Sequence, residues 1–104
     1  MDAQVPEGRS LPIEWYIPEN TVTRYATNMV VQSSPLEFVI SFFEAYPPLL
    51  IGTPEEAKAQ AEKLDSIRAT CIARFIVSPG KITEFVAVLQ QSLEQYQSSF
   101  GKLE

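Results

Sequence analysis

Carboxylates are the plentiful reactive groups in this sequence: Asp and Glu number 13 against 8 Lys and Arg, a formal charge of −5 over 104 residues. Histidine is absent and Cys71 is the one cysteine. The default general base near neutral pH is therefore missing, and so is the imidazole ligand of most transition-metal sites. Ser-His-Asp and Cys-His catalysis and zinc sites of the His/Cys type are excluded, and Cys71 has no intramolecular disulfide partner. Paired carboxylates are the remaining acid/base option. Glu37 and Glu44 stand seven apart, so a straight strand sends them to opposite faces, away from joint chemistry. Glu55, Glu56, Glu62 and Asp65 read as the solvated face of a polar helix, with the first two suited to its positive N-terminus. No aspartate-rich loop offers alternate-position ligands for calcium or magnesium. No metal and no cofactor is expected.

The basic residues permit one further chemistry. Gly80 and Lys81 follow Ser78-Pro79 at a helix start, and Arg68 and Arg74 share a strand face just before it. Together Arg68, Arg74 and Lys81 could hold a small anion. The turn lacks the two-glycine spacing of a phosphate loop, and Pro79 removes an amide donor, so a helix cap is the competing reading. The eight cations never cluster, so phosphate-backbone binding to nucleic acid is disfavoured. Cys71 falls mid-strand on the face of Ile67, Phe75 and Val77 and reads as a buried, inert thiol.

Elements must position these groups, and their signals are uneven. Residues 1–12, with Pro6, Gly8 and Pro12, read as a flexible leader before a single domain over 13–104. Residues 13–17, closed by Pro18, suit an edge strand or an extended arm. Residues 21–33 are rich in β-branched side chains and read as a strand ended by a Ser33-Ser34-Pro35 turn. Residues 36–45 form the next, with Leu36, Phe38, Ile40 and Phe42 on one face and Glu37, Val39, Ser41 and Phe43 on the other. Thr53 as N-cap, Pro54 at N1 and Glu56 at N3 announce a short helix to about residue 64. It is inserted between strands, in a connection spanning 47–65. Residues 67–77 alternate as a third strong strand, with Ile67, Ala69, Cys71, Ala73, Phe75 and Val77 on one face.

The closing helix, about 79–99, has the clearest period in the chain. Ile82, Val86, Leu89, Leu93, Tyr96 and Phe100 are spaced 4, 3, 4, 3, 4, with Phe85 widening the stripe and Gly101 placed to end it. The expected fold is α+β: a three- or four-stranded, mainly antiparallel sheet with a short inserted helix and a long C-terminal amphipathic helix. Strands apolar on both faces exceed what one long and one short helix can cover. The surplus argues for a homodimer or higher oligomer. Its expected interface is Trp15, Tyr16, Phe38 and Phe43 with the helix residues Val86, Leu89, Leu93, Tyr96 and Phe100. No apolar run approaches the roughly 20 residues needed to span a bilayer. With no signal-peptide pattern at the N-terminus, the expectation is a soluble cytoplasmic protein that engages no membrane.

Three segments carry a family resemblance: Asn28-Met-Val-Val-Gln-Ser-Ser-Pro-Leu-Glu-Phe-Val-Ile-Ser-Phe42, then Ala73-Arg-Phe-Ile-Val-Ser-Pro79, then Leu93-Glu-Gln-Tyr-Gln-Ser-Ser-Phe-Gly101. In this order, across about residues 21–101, the chain resembles the bacterial and archaeal family of unknown function numbered 3467. That resemblance implies a small strand-rich domain with a C-terminal helix and brings no catalytic residue or cofactor. The expected role is a non-enzymatic protein-interaction module that binds itself and a further polypeptide. Strands followed by a long helix in an oligomer also resemble, at the level of fold, export chaperones of the SecB kind. The alternative is a small-ligand or anion-binding domain using Arg68, Arg74 and Lys81.

Overall fold

A computed structural model describes residues 2–4 and 10–103, with side chains from residue 10 onward. Its elements are β1 (Asp2–Gln4), β2 (Ser10–Pro12), β3 (Asn28–Ser33), β4 (Phe38–Ala45), α1 (Pro54–Glu62), β5 (Ala69–Val77) and α2 (Pro79–Phe100). β3, β4 and β5 form an antiparallel sheet with β4 in the centre. The α+β architecture with a short and a long helix is therefore as expected, and the main sheet has three strands.

The hairpin at β3–β4 is set by its turn. The Ser34 amide donates to the Glu37 carbonyl at 2.9 Å, and the Leu36 amide donates to the Ser34 hydroxyl at 3.3 Å. Pro35 between them tolerates the bend. α1 starts where its capping signal lies: the Glu56 amide donates to Thr53 Oγ1 at 3.2 Å, with Pro54 in the first turn. Gln60 of α1 fastens the incoming loop, its amide nitrogen donating to the Ile51 carbonyl at 2.7 Å. α2 ends at Gly101, whose φ of +93° is the glycine-favoured region and whose amide closes onto the Gln97 carbonyl.

Three local expectations are corrected. Residues 2–4 and 10–12, read as part of a flexible leader, pair as a two-stranded antiparallel ribbon; the rest of that leader lies outside the described residues. Of the two readings open for residues 13–17, an edge strand or an extended arm, the edge strand falls, since these residues form no strand. They run between Pro12 and Pro18, neither of which can donate to a ladder, and Trp15, Tyr16 and Ile17 stay exposed. The strand expected over 21–33 begins only at Asn28. Thr27 is the hinge. Its amide donates to the Phe43 carbonyl, and its hydroxyl accepts from the Ala45 amide at 2.9 Å. A side chain thus takes over the end of the β4 ladder, and residues 21–26 are released from it.

The register fixes the sheet's faces, because direct partners on antiparallel strands project to the same side. Met29 lies opposite Phe42, and Val31 opposite Ile40; Phe38 pairs with Val77, and Ile40 with Phe75. These residues make one continuous apolar face, on which Phe42 and Phe75 meet edge-to-face at 6.3 Å. The other face is mixed: Val39, Ser41 and Phe43 with Val30, Arg74 and Ile76. A bulge interrupts the alternation expected along β5. Phe42 pairs with Ala73 but Phe43 pairs with Cys71, which leaves Ile72 as the extra residue.

α2 does not cover either face. None of its residues is buried, and the extensive packing in the molecule is between strands. Among the described residues Val77 is the only buried hydrophobic one. The shape follows: the radius of gyration is 20.4 Å and the longest axis 69 Å, where a compact chain of this length has a radius near about 13 Å.

Candidate functional site

The apolar surfaces left open by this architecture are the most extensive candidate site. The stripe expected along α2 is present on one side of a 22-residue helix, and all of Val86, Leu89, Leu93, Tyr96 and Phe100 are exposed. Leu89 retains 68% of its surface and Phe100 retains 76%. Tyr96 and Phe100, one turn apart, stack with ring centroids 5.1 Å from each other. At the base of the helix, Phe75, Ile76 and Val77 of β5 combine with Ser78, Lys81 and Phe85 to line an open groove of about 310 Å³.

The other expected interface residues are not gathered into one groove. Phe38 and Phe43 lie five apart on β4 and project to opposite faces. Phe38 belongs to the continuous apolar face; Phe43 sits on the mixed one. Trp15 and Tyr16 lie in the irregular segment after β2 and stay more than three-quarters exposed. The surface legible in sequence as one patch is therefore two: the α2 stripe and the Met29–Val31–Phe38–Ile40–Phe42–Phe75 face.

The cations proposed for an anion site are spread out. Arg74 Nε donates to Ser41 Oγ at 3.2 Å on the mixed face. Lys81 is paired with Glu84 at 2.9 Å, one turn along α2. Arg68 precedes β5 by one residue, and six extended residues place it roughly 20 Å from Arg74. Ser78 is the N-cap of α2 by position, and its carbonyl accepts from the Lys81 amide at 3.0 Å. Its side chain makes no cap hydrogen bond, so a serine hydroxyl is not what starts this helix, whose first turn holds Pro79.

One polar cluster was not anticipated. Arg24, in the segment released before β3, reaches Glu44 near the end of β4 with Nη2 to Oε1 at 3.1 Å. Glu44 is buried, at 7% exposure. The Tyr46 hydroxyl donates to the same carboxylate, and this bond is the largest cause holding the Glu44 pKa below its ordinary value. The Arg24 hydrogen bond and charge act in the same direction, against desolvation. Tyr46 is pushed the opposite way, its phenol kept protonated by the carboxylate it serves. Beside the cluster, Val22, Arg24 and Ala26 face Phe42, Ile72 and Ala73 across a groove of about 400 Å³. The signal available in sequence was an acidic residue inside an apolar strand, which needs a partner when buried. Its charged partner, Arg24, is 20 residues away and no local spacing points to it, whereas Tyr46 stands at the i+2 spacing that shares a strand face.

Cys71, expected to be buried, is exposed, and its sulfur lies 3.6 Å from the Ala73 carbonyl across the bulge. No group of three or more Cys, Asp or Glu among the described residues is arranged to hold a metal ion. Among the same residues, no helix is long and apolar enough to cross a membrane. Compared with known proteins, residues 2–104 match a family model described as protein of unknown function (DUF3467). No curated protein and no solved structure matches the chain.

Proposed function

Starting from the fact that this chain belongs to the DUF3467 family, whose own description assigns no activity, we propose that it is a self-associating, non-enzymatic protein-interaction module. The observation that carries this reading is surface area. The chain exposes 9629 Å², whereas a compact monomer of 11.7 kDa exposes roughly 5,900 Å². The excess is more than twice a standard protein–protein interface of about 1,600 Å². The α2 stripe and the apolar sheet face supply part of it; other exposed apolar side chains, among them Trp15, Tyr16, Ile17, Leu36, Leu49 and Ile51, lie elsewhere.

Two surfaces imply two uses. One is covered by further copies of the chain. The other is offered to a polypeptide, whose apolar side chains would lie along Met29, Val31, Phe38 and Phe75 in the manner of a chaperone or adaptor. The paucity of paired carboxylates supports a role without catalysis, and the lone thiol suits a reducing, cytoplasmic setting.

The test is light scattering on the eluting protein across a hundredfold range of concentration. A mass at or above twice 11.7 kDa that falls on dilution is the expected result. A strict monomer throughout removes the basis of the proposal.

A further inference from the structure

The stripe on α2 has a property beyond being apolar. Its spacings of 4, 3, 4, 3, 4 read the same in both directions, so the positions 82, 86, 89, 93, 96 and 100 are symmetric about residue 91. A two-fold axis across an antiparallel helix pair at residue 91 uses that symmetry, because it sets position i against position 182 − i of the other copy. The side-chain sizes follow the same rule. Ile82 would face Phe100 of the partner subunit, Val86 the partner's Tyr96, and Leu89 the partner's Leu93. Each aromatic meets a β-branched aliphatic and the two leucines meet in the middle, which fills the seam without two rings competing for one layer.

We propose that α2 pairs with α2 of a second copy as an antiparallel two-fold seam centred on residue 91. This rests on the self-association reading above and adds its surface, direction and register. The helix is 22 residues long, about 33 Å at 1.5 Å per residue. Taking roughly 150–250 Å² for a whole large side chain, the fractions left open on the stripe amount to about 600 Å² per copy. Doubled, this reaches the lower bound of stable interfaces, about 1,200 Å² in total. The groove at the base of α2, lined by Phe75, Ile76, Val77 and Phe85 together with Ser78 and Lys81, lies at the N-terminal end of the helix that also carries Ile82. The seam delivers the partner's Phe100 to that end, so the most exposed ring of the stripe arrives where an apolar recess is open.

The experiment uses charge placed in the seam of the full chain. Val86→Glu and Tyr96→Lys are made separately; both positions are exposed in the single copy, so neither change removes a core contact. Each variant alone leaves two unpaired charges in the seam and is expected to raise the dissociation constant at least a hundredfold. In an equimolar mixture of the two, the new carboxylate of one copy meets the new ammonium of the other beside one native pair. This mixture is expected to restore the assembled mass. A mixture of Val86→Glu with Leu89→Lys, positions the register does not oppose, is expected to stay dissociated.

A second measurement does not depend on those variants. Spin labels at Gln91→Cys and at Ser98→Cys, in a Cys71→Ser background, sit on the outer side of the helix. An antiparallel seam offsets the Ser98 pair by about 21 Å along the axis and the Gln91 pair by none. Equal distances at the two sites mean a parallel pair and overturn the proposal. Variants that remain assembled, or a mixture that fails to recover, overturn the seam or its register while self-association stands. A monomeric wild-type protein overturns both.

Discussion

Replacing Leu89 by alanine separates an interface helix from one that merely belongs to the monomer's core. The change deletes three carbon atoms, each worth about 0.8 kcal/mol when fully buried. With 68% of Leu89 open in the single copy, about 1.6 kcal/mol per site is available to association. A two-fold dimer carries the site twice, so roughly 3 kcal/mol is lost. At about 1.4 kcal/mol per decade, the dissociation constant should rise about a hundredfold. The monomer should barely respond, within about 0.5 kcal/mol, as an exposed helical position replaced by the best helix former does. The assay is sedimentation equilibrium over a dilution series, with urea unfolding at two protein concentrations. An unchanged association constant, with stability lower by about 2–5 kcal/mol at both concentrations, refutes the interface assignment. That pattern is the signature of a cavity in an intramolecular core, with α2 packed on its own sheet.

The remaining predictions concern the monomer. The Glu44 carboxyl is held charged in the fold, so its stabilising contribution is present above the unfolded value of 4.5 and is lost as pH falls through the lowered folded value. Glu44→Gln should flatten the acid limb of stability below about pH 4.5, and Tyr46→Phe should move that limb upward, both read from urea midpoints between about pH 3 and 6. The raised phenol of Tyr46 acts at the other end: its contribution is intact below 10.0 and is lost as pH rises through the higher folded value. Thr53→Ala removes the acceptor of the Glu56 amide and should cost α1 about 1 kcal/mol, seen as faster amide exchange over residues 55–57 with little change in global unfolding. Gly52→Ala should loosen the same segment. Its φ is +111° and its new methyl would press on the Glu56 carboxylate, a cost of about 1–2 kcal/mol set mainly by the backbone.

Where a residue pattern repeats over many positions, structure follows it closely. The heptad-like spacing of α2 and the alternation of β4 each sum a small preference over eight or more residues, and both elements end within a residue or two of their signals. The start of β3 was less legible, because β-branched residues at 21–27 favour a strand only while a neighbouring strand remains to pair with. β4 ends at Ala45, and the Thr27 hydroxyl is committed there. The bulge at Ile72 leaves no mark in composition; it is a matter of two strands accommodating each other. The interface residues divided along the same line. The α2 members form one surface because one helix places them; Phe38 and Phe43 part by the two-residue period of β4 itself, and Trp15 and Tyr16 depend on long-range placement. In the Arg24–Glu44–Tyr46 cluster only the Arg24 partner depends on long-range placement; Tyr46 stands two residues from Glu44, at the same-face spacing of a strand.

The length of α2 also sets a ruler. In an antiparallel seam each sheet sits at the N-terminal end of its own helix, so the two apolar faces are held apart by a rod of about 33 Å. An extended peptide covers at most about 3.3–3.6 Å per residue, so fewer than roughly ten residues can touch only one face. A longer unfolded segment can engage both, and the second contact becomes intramolecular, with the gain in avidity that follows from high local concentration. On the chaperone-like use proposed above, valency would sort bound polypeptides by length before any side chain is read: short peptides would leave quickly, and long unstructured chains would stay.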